Sequence, residues 1–162
     1  MSDEAMIAFL PEDGRWCKQD LPHMTLSACG PIEDLQESDL NAMAKDAISA
    51  ARVTGAFSLP VTSVEQFGDD EKVDVLILYP TPQLLVARNL VKHWDKVDYP
   101  FNAHATIGPA GSAFARKVEY GSEYESYRDP EYKREVLPDR LYFNRIAVCW
   151  GDKRLVFNTN SF

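Results

Sequence analysis

Two short segments of the chain repeat one pattern: His23-Met24-Thr25-Leu26 and, half a chain later, His104-Ala105-Thr106-Ile107, each running into a glycine-proline break at Gly30-Pro31 and Gly108-Pro109. Successive side chains of a β-strand point to opposite faces. On such a strand His23, Thr25 and Ser27 share one face while Met24 and Leu26 share the other. In the second segment His104 and Thr106 stand opposite Ala105 and Ile107. The apolar faces go to a core and the His/Thr faces to whatever cavity lies on the other side. If the two halves pack as a pseudo-symmetric pair, these faces converge on one cleft. With only three histidines and six threonines in the chain, two His-x-Thr matches arising by chance is roughly a one-in-a-hundred event.

The surrounding sequence is read as α+β. Strands are expected at 5–11, 22–28, 56–67, 73–79 and 102–107, with Pro60 marking an edge or a bulge. Apolar residues at helical spacing from Leu35 to Ala51 predict an amphipathic helix over about 34–53, starting near Ser38. A second helix is expected over 81–97, started by Thr81 or Pro82. Residues 141–150 and 153–158 read as a hairpin across Gly151-Asp152. The tyrosine-rich stretch 110–138 gives no clear element beyond some helix or an ordered loop. Each half carries one principal helix and several strands, so a single domain over 1–162 is expected, with one lobe at about 1–70, the other at about 71–162, and room for strands to intertwine.

Composition narrows the function classes. The apolar fraction of 45% and aromatic residues along the whole length describe a chain that folds throughout. A net charge of −8 argues against an extended grip on DNA or long RNA, whose binding depends on many Lys/Arg–phosphate contacts. A small phosphorylated ligand remains compatible with a local polar pocket. The three cysteines, Cys17, Cys29 and Cys149, are odd in number and widely spaced, which points to a reducing, cytoplasmic setting. The acidic start and the lack of an apolar run near the roughly 18 residues of a membrane span argue against secretion and membrane insertion.

Two histidines and two threonines in one cleft supply what phosphodiester cleavage needs without a metal: a base, an acid, and donors for the phosphoryl oxygens. Imidazole suits both proton transfers, since its pKa of about 6.5 allows one ring to be neutral while the other is protonated. His93 lies on the second helix and is left out of the site. Neither motif has His-x-His, His-x-x-x-His or Cys spacing, so no metal site is assigned. No phosphate-binding glycine loop, dinucleotide fingerprint or nucleophile elbow is present, and no cofactor is expected.

With Pro-His23-Met-Thr25-Leu and Ala-His104-Ala-Thr106-Ile, the chain resembles the two-histidine (2H) phosphoesterase superfamily, marked by a pair of H-x-[ST]-apolar motifs, one per lobe. The resemblance implies a bilobal α+β fold with two pseudo-symmetric antiparallel sheets around a central groove and helices outside. It implies His23, Thr25, His104 and Thr106 as catalytic residues, the two histidines as base and acid and the threonines holding phosphoryl oxygens; His104 is taken as base and His23 as acid, an order that the motifs themselves leave open. Family members add aromatic side chains that stack on a base, for which Phe9, Tyr79, Tyr142 and Trp150 are candidates; Arg116, with Lys117, is a candidate for phosphate charge in a lid. The implied activity is hydrolysis of cyclic nucleotide or cyclic oligonucleotide phosphodiesters, as in the phage anti-defence branch, whose members are of similar size and would act in the host cytoplasm. Two alternatives stand beside it: an enzyme of RNA 2′,3′-cyclic phosphate ends or 2′-5′ linkages, and a module that sequesters a nucleotide without cleaving it.

Overall fold

The computed structural model describes residues 4–96, 100–110 and 137–159. Among the described residues, seven strands and two α-helices follow one another as β1 (Glu4–Pro11), β2 (Met24–Pro31), α1 (Glu37–Thr54), β3 (Phe57–Phe67), β4 (Val73–Leu78), α2 (Pro82–Val91), β5 (His104–Pro109), β6 (Arg140–Trp150) and β7 (Lys153–Asn158). All strand pairs are antiparallel, in the order β2-β1-β6-β3-β4-β5, with β7 also beside β6. β3 joins two parts of the sheet: Phe57–Pro60 pairs with β6 and Val61–Phe67 with β4. Pro60, which lacks an N–H, sits where the strand changes partners, and a register shift follows between Val61 and Ser63.

Strand pairing crosses residue 70 in both directions. β6 and β7 from the C-terminal part complete the sheet of β1 and β2, while β3 goes with β4 and β5. Both helices lie on one face of the sheet. Met43, Ala47, Ala50 and Ala51 of α1 and Leu84, Ala87 and Val91 of α2 share a core with Ile7, Phe9, Met24, Leu26, Ala105, Ile107 and Phe143. Phe9 packs edge to face on Phe57 at 4.8 Å, and Phe57 stacks on Phe143 at 5.2 Å.

Helix ends follow local chemistry. α1 begins at Glu37 because Gln36 caps it, its own N–H donating to Asp39 at 2.9 Å. Gly55, at φ 58°, ends the helix and returns its N–H to Ala51 O. α2 starts under Thr81, whose hydroxyl accepts from the Leu84 N–H at 3.2 Å, with Pro82 in the first turn. It stops at Val91, short of the expected 97: the chain tightens into a 3-10 turn over Lys92–Trp94 and Asp95 becomes extended. Among the described residues, no helix is long and apolar enough to cross a membrane.

Candidate active site

β2 and β5 stand at the two ends of the strand order, yet they lie against each other across the sheet's hollow face. Met24, Leu26, Ala105 and Ile107 are buried in the core, while His23, Thr25, His104 and Thr106 are half-buried, as strand alternation requires. Both strands break that alternation in the same place. Thr25 pairs with Ala8 and Ser27 with Ile7, leaving Leu26 as an extra residue; Thr106 pairs with Val75 and Gly108 with Asp74, leaving Ile107 as an extra residue. Each motif thus carries a β-bulge directly after its threonine. The first bulge also adjusts one sequence expectation: Ala28, opposite Met6, takes the next place on the His/Thr face, while Ser27 is buried and donates to Asp95 at 2.6 Å.

The two imidazoles are held alike. His23 Nδ1 lies 2.7 Å from Leu21 O, and His104 Nδ1 lies 2.7 Å from Asn102 O, in each case the carbonyl two residues back. A carbonyl oxygen only accepts, so Nδ1 carries the proton and donates it, and Nε2 is the nitrogen left to take or give one. Burial pushes the His23 pKa down, against a rise from its bond to Leu21 O, and the charge of His104 lowers it further. His23 therefore favours its neutral form.

The groove widens into two cavities that meet at Thr25 and Ala28. One, of about 590 Å³, has His23, Thr25 and Met6 in its wall with Gln19, Asp20, Asp152, Lys153 and Arg154 around it. The other, of about 530 Å³, has Thr25 and His104 in its wall with Phe67, Phe101, Asn102, Arg88 and Asp95. The Phe67 ring meets the His104 ring edge on, 4.9 Å between centroids. Arg88 pairs with Asp95, donates to Leu26 O at 3.0 Å, and places its guanidinium 5.3 Å from the centre of the Phe101 ring. Burial alone would raise the Asp95 pKa, but hydrogen bonds from Arg88 and Ser27, the Arg88 charge and the Ala28 N–H hold it below its ordinary value.

The other sequence candidates fare differently. Phe9 is fully buried in the aromatic core, so its ring has no face for a ligand. Trp150 is half-buried and packs on the same core. Tyr79 is exposed beyond β4. Tyr142 lines a different cavity, with Trp16 and Arg140. Arg116, Lys117 and the tyrosines at 120–132 lie outside the described residues. Among the described residues, the phenylalanines that reach the groove, Phe67 and Phe101, are not among the sequence candidates, and neither are Arg88 and Asp95. The alternation of β3 offered a signal for Phe67, which shares a face with Glu65 and Ser63 two strands from the second motif. Among the described residues, no three His, Cys, Asp or Glu side chains converge as a metal site would need.

No protein-family model matches the sequence, and no curated protein matches it. Solved structures do. The chain is similar to Usb1 of Kluyveromyces marxianus, with a TM-score of 0.60 at 9% identity over 96% of this chain and 98% of that one; Usb1 has also been solved with uridine monophosphate. It is similar to Escherichia coli LigT complexed with 3′-AMP, with a TM-score of 0.55 at 12% identity over 96% of this chain and 94% of that one. A further structure, of a phosphoesterase, matches at a TM-score of 0.55 and 14% identity over 97% and 95% of the two chains. Usb1 and LigT are both two-histidine phosphoesterases. Their likeness spans nearly the whole chain, so the antiparallel sheet, its open hollow and the two outer helices have the two-histidine phosphoesterase fold.

Proposed function

We propose that this protein is a metal-independent phosphodiesterase in which His23 and His104 carry the proton transfers and Thr25 and Thr106 donate hydrogen bonds to the phosphoryl oxygens. One observation supports the reading: His23 and His104 each tie Nδ1 to the carbonyl two residues back, leaving Nε2 for chemistry, and they line two cavities that share Thr25 and Ala28. An in-line displacement at phosphorus needs a base on the entering oxygen and an acid on the leaving oxygen, from opposite sides. Because burial and the neighbouring ring outweigh the bond to Leu21 O and favour neutral His23, we assign it as the base and His104 as the acid, the opposite of the order taken from the sequence, which the motifs left open. His23 Nε2 takes the proton of a water or ribose hydroxyl, that oxygen bonds to phosphorus, the P–O bond to the leaving oxygen breaks, and His104 Nε2–H protonates it.

The substrate class proposed first is a cyclic nucleotide or cyclic oligonucleotide. A small soluble ester suits a chain of net charge −8, which would repel a long polyanion outside the groove. A second reading, cleavage at an RNA end bearing a 2′,3′-cyclic phosphate, is supported by the 3′-AMP in LigT, a nucleotide with phosphate on the oxygen that such an end would carry. The deciding experiment incubates the protein in EDTA with cyclic mono-, di- and trinucleotides and a cyclic-phosphate-ended RNA, beside the His23→Ala/His104→Ala double variant. Cleavage of a cyclic oligonucleotide by wild type alone is expected. Cleavage of the RNA end alone overturns the substrate class but keeps the mechanism; intact ligand after long incubation, with binding unchanged in the double variant, replaces the enzyme with a sequestering module.

A further inference from the structure

The segments that orient the two imidazoles cross over between the motifs. His23 Nδ1 donates to Leu21 O and His104 Nδ1 to Asn102 O, both at 2.7 Å. The residues leading to Leu21 dock on β5 at and after Thr106: the Cys17 thiol donates to Thr106 O at 3.4 Å, and the Lys18 N–H donates to Ile107 O at 2.6 Å. The residues leading to Asn102 dock on β2 directly after Thr25. Arg88 donates to Leu26 O at 3.0 Å, pairs with Asp95, and sets its guanidinium over the ring of Phe101, the neighbour of Asn102 in the chain. Asp95 accepts from Ser27 and from the Ala28 N–H. Each ring is thus held by a carbonyl whose own segment is anchored on the strand that carries the other ring.

We infer that this crossing sets the distance and tilt between the two imidazoles, with Cys17 and Lys18 as positioning residues for His23 and Arg88 as the positioning residue for His104. Its catalytic meaning rests on the phosphodiesterase reading, to which it adds what aligns the acid with the base. β2 and β5 stand at opposite ends of the strand order, so among the described residues no hydrogen-bonded ladder fixes their separation. Anchors kept within each lobe would leave that separation to movement of the lobes. Crossed anchors tie each ring to the opposite strand, so that when one motif shifts the far ring follows it. Two groups acting on opposite sides of one phosphorus must be placed together, and an error of about 1 Å can cost roughly a hundredfold in rate. The bond from Nδ1 to a fixed carbonyl is the point of transfer, because it sets both the tautomer and the direction of Nε2.

The test reads the two rings separately, by NMR of the histidine side chains in the full chain. Lys18→Pro removes the N–H that reaches Ile107 O, and Cys17→Ala, which removes only the thiol donor, is the gentler form of the same cut. Both are expected to shift the His23 ring signals more than those of His104, although the bonds they remove end on the His104 motif. Arg88→Lys keeps a positive charge beside Asp95 but cannot span Leu26 O and the Phe101 ring together. It is expected to shift His104 more than His23, although its lost bond ends on the His23 motif. On a substrate that the wild type cleaves, each variant should lose up to about a hundredfold in kcat with KM changed by less than about twofold. Variants that move chiefly the ring of the motif their lost bond touches overturn the inference. Unmoved rings in a less stable variant make these contacts structural only, and overturn it too. If the wild type cleaves nothing while the rings respond crosswise, the phosphodiesterase reading fails and the bracing stands.

Discussion

The His23 imidazole reports on its neighbour. Because the His104 charge is one of the causes that hold the His23 pKa down, His104→Gln should raise it; burial persists, so the value should stay below the ordinary 6.5 or so. NMR titration of the His23 ring in both proteins reads this directly, and an unchanged or lower value would show that the rings do not interact. In activity, either histidine replaced by alanine should cost about a hundred- to ten-thousand-fold in kcat. If His23 is the base, the acidic limb of the kcat/KM profile falls below the ordinary imidazole pKa, and it moves to higher pH in a variant that raises the His23 pKa. These four residues were legible in the sequence because a strand's alternation is local: His and Thr two apart must share a face. Phe67, Arg88 and Asp95 were not legible, since only strand pairing and a loop distant in sequence bring them to the groove.

At the scale of elements, the bulge after each threonine is gripped from the opposite half of the chain. Leu26 O accepts from Arg88 of α2, and Ile107 O accepts from the Lys18 N–H of the β1–β2 connection at 2.6 Å. Asp95 extends the first grip: it accepts from Ser27 and from the Ala28 N–H, while the Lys96 N–H reaches Ala28 O. Among the described residues, these bonds satisfy some of the backbone groups on the free edges of β2 and β5 without another strand. The Arg88 and Asp95 side chains are only 12% and 13% exposed, so removing one partner strands a buried charge. Arg88→Met should therefore destabilise the protein by about 3–5 kcal/mol in denaturant unfolding; a loss under about 1 kcal/mol would mean the pair behaves as a surface one. Since the folded Asp95 pKa lies below its unfolded value, its contribution is present above pH 4 or so and is lost as pH falls through the folded pKa. Asp95→Asn should flatten that acid limb. This grip also explains why α2 ends at Val91: helical periodicity continued in sequence, but Asp95 is drawn to the β2 edge, which no local pattern announces.

At the scale of the molecule, the repeated motif predicted two halves, and the strand pairing distributes them differently. β1 lies between β2 and β6, so one of its edges is paired only by residues 143–150, which also add Phe143, Ile146 and Val148 to the core around Ile7 and Phe9. A sequence divides where local patterns recur, whereas a sheet closes where backbone groups and apolar faces find partners; the hairpin of β6 and β7 was legible as a hairpin but not as the completion of the first lobe. A fragment of residues 1–70 would leave one edge of β1 unpaired and the Phe9–Phe57–Phe143 cluster without its third ring. Three strands and one helix with an open core face cannot offset their ordering entropy. The fragment is expected to show neither cooperative thermal unfolding nor dispersed amide resonances on its own, and to gain both when mixed with residues 71–162. Cooperative folding of 1–70 alone would mean that the lobes are independent units after all, and that β6 joins a sheet already complete.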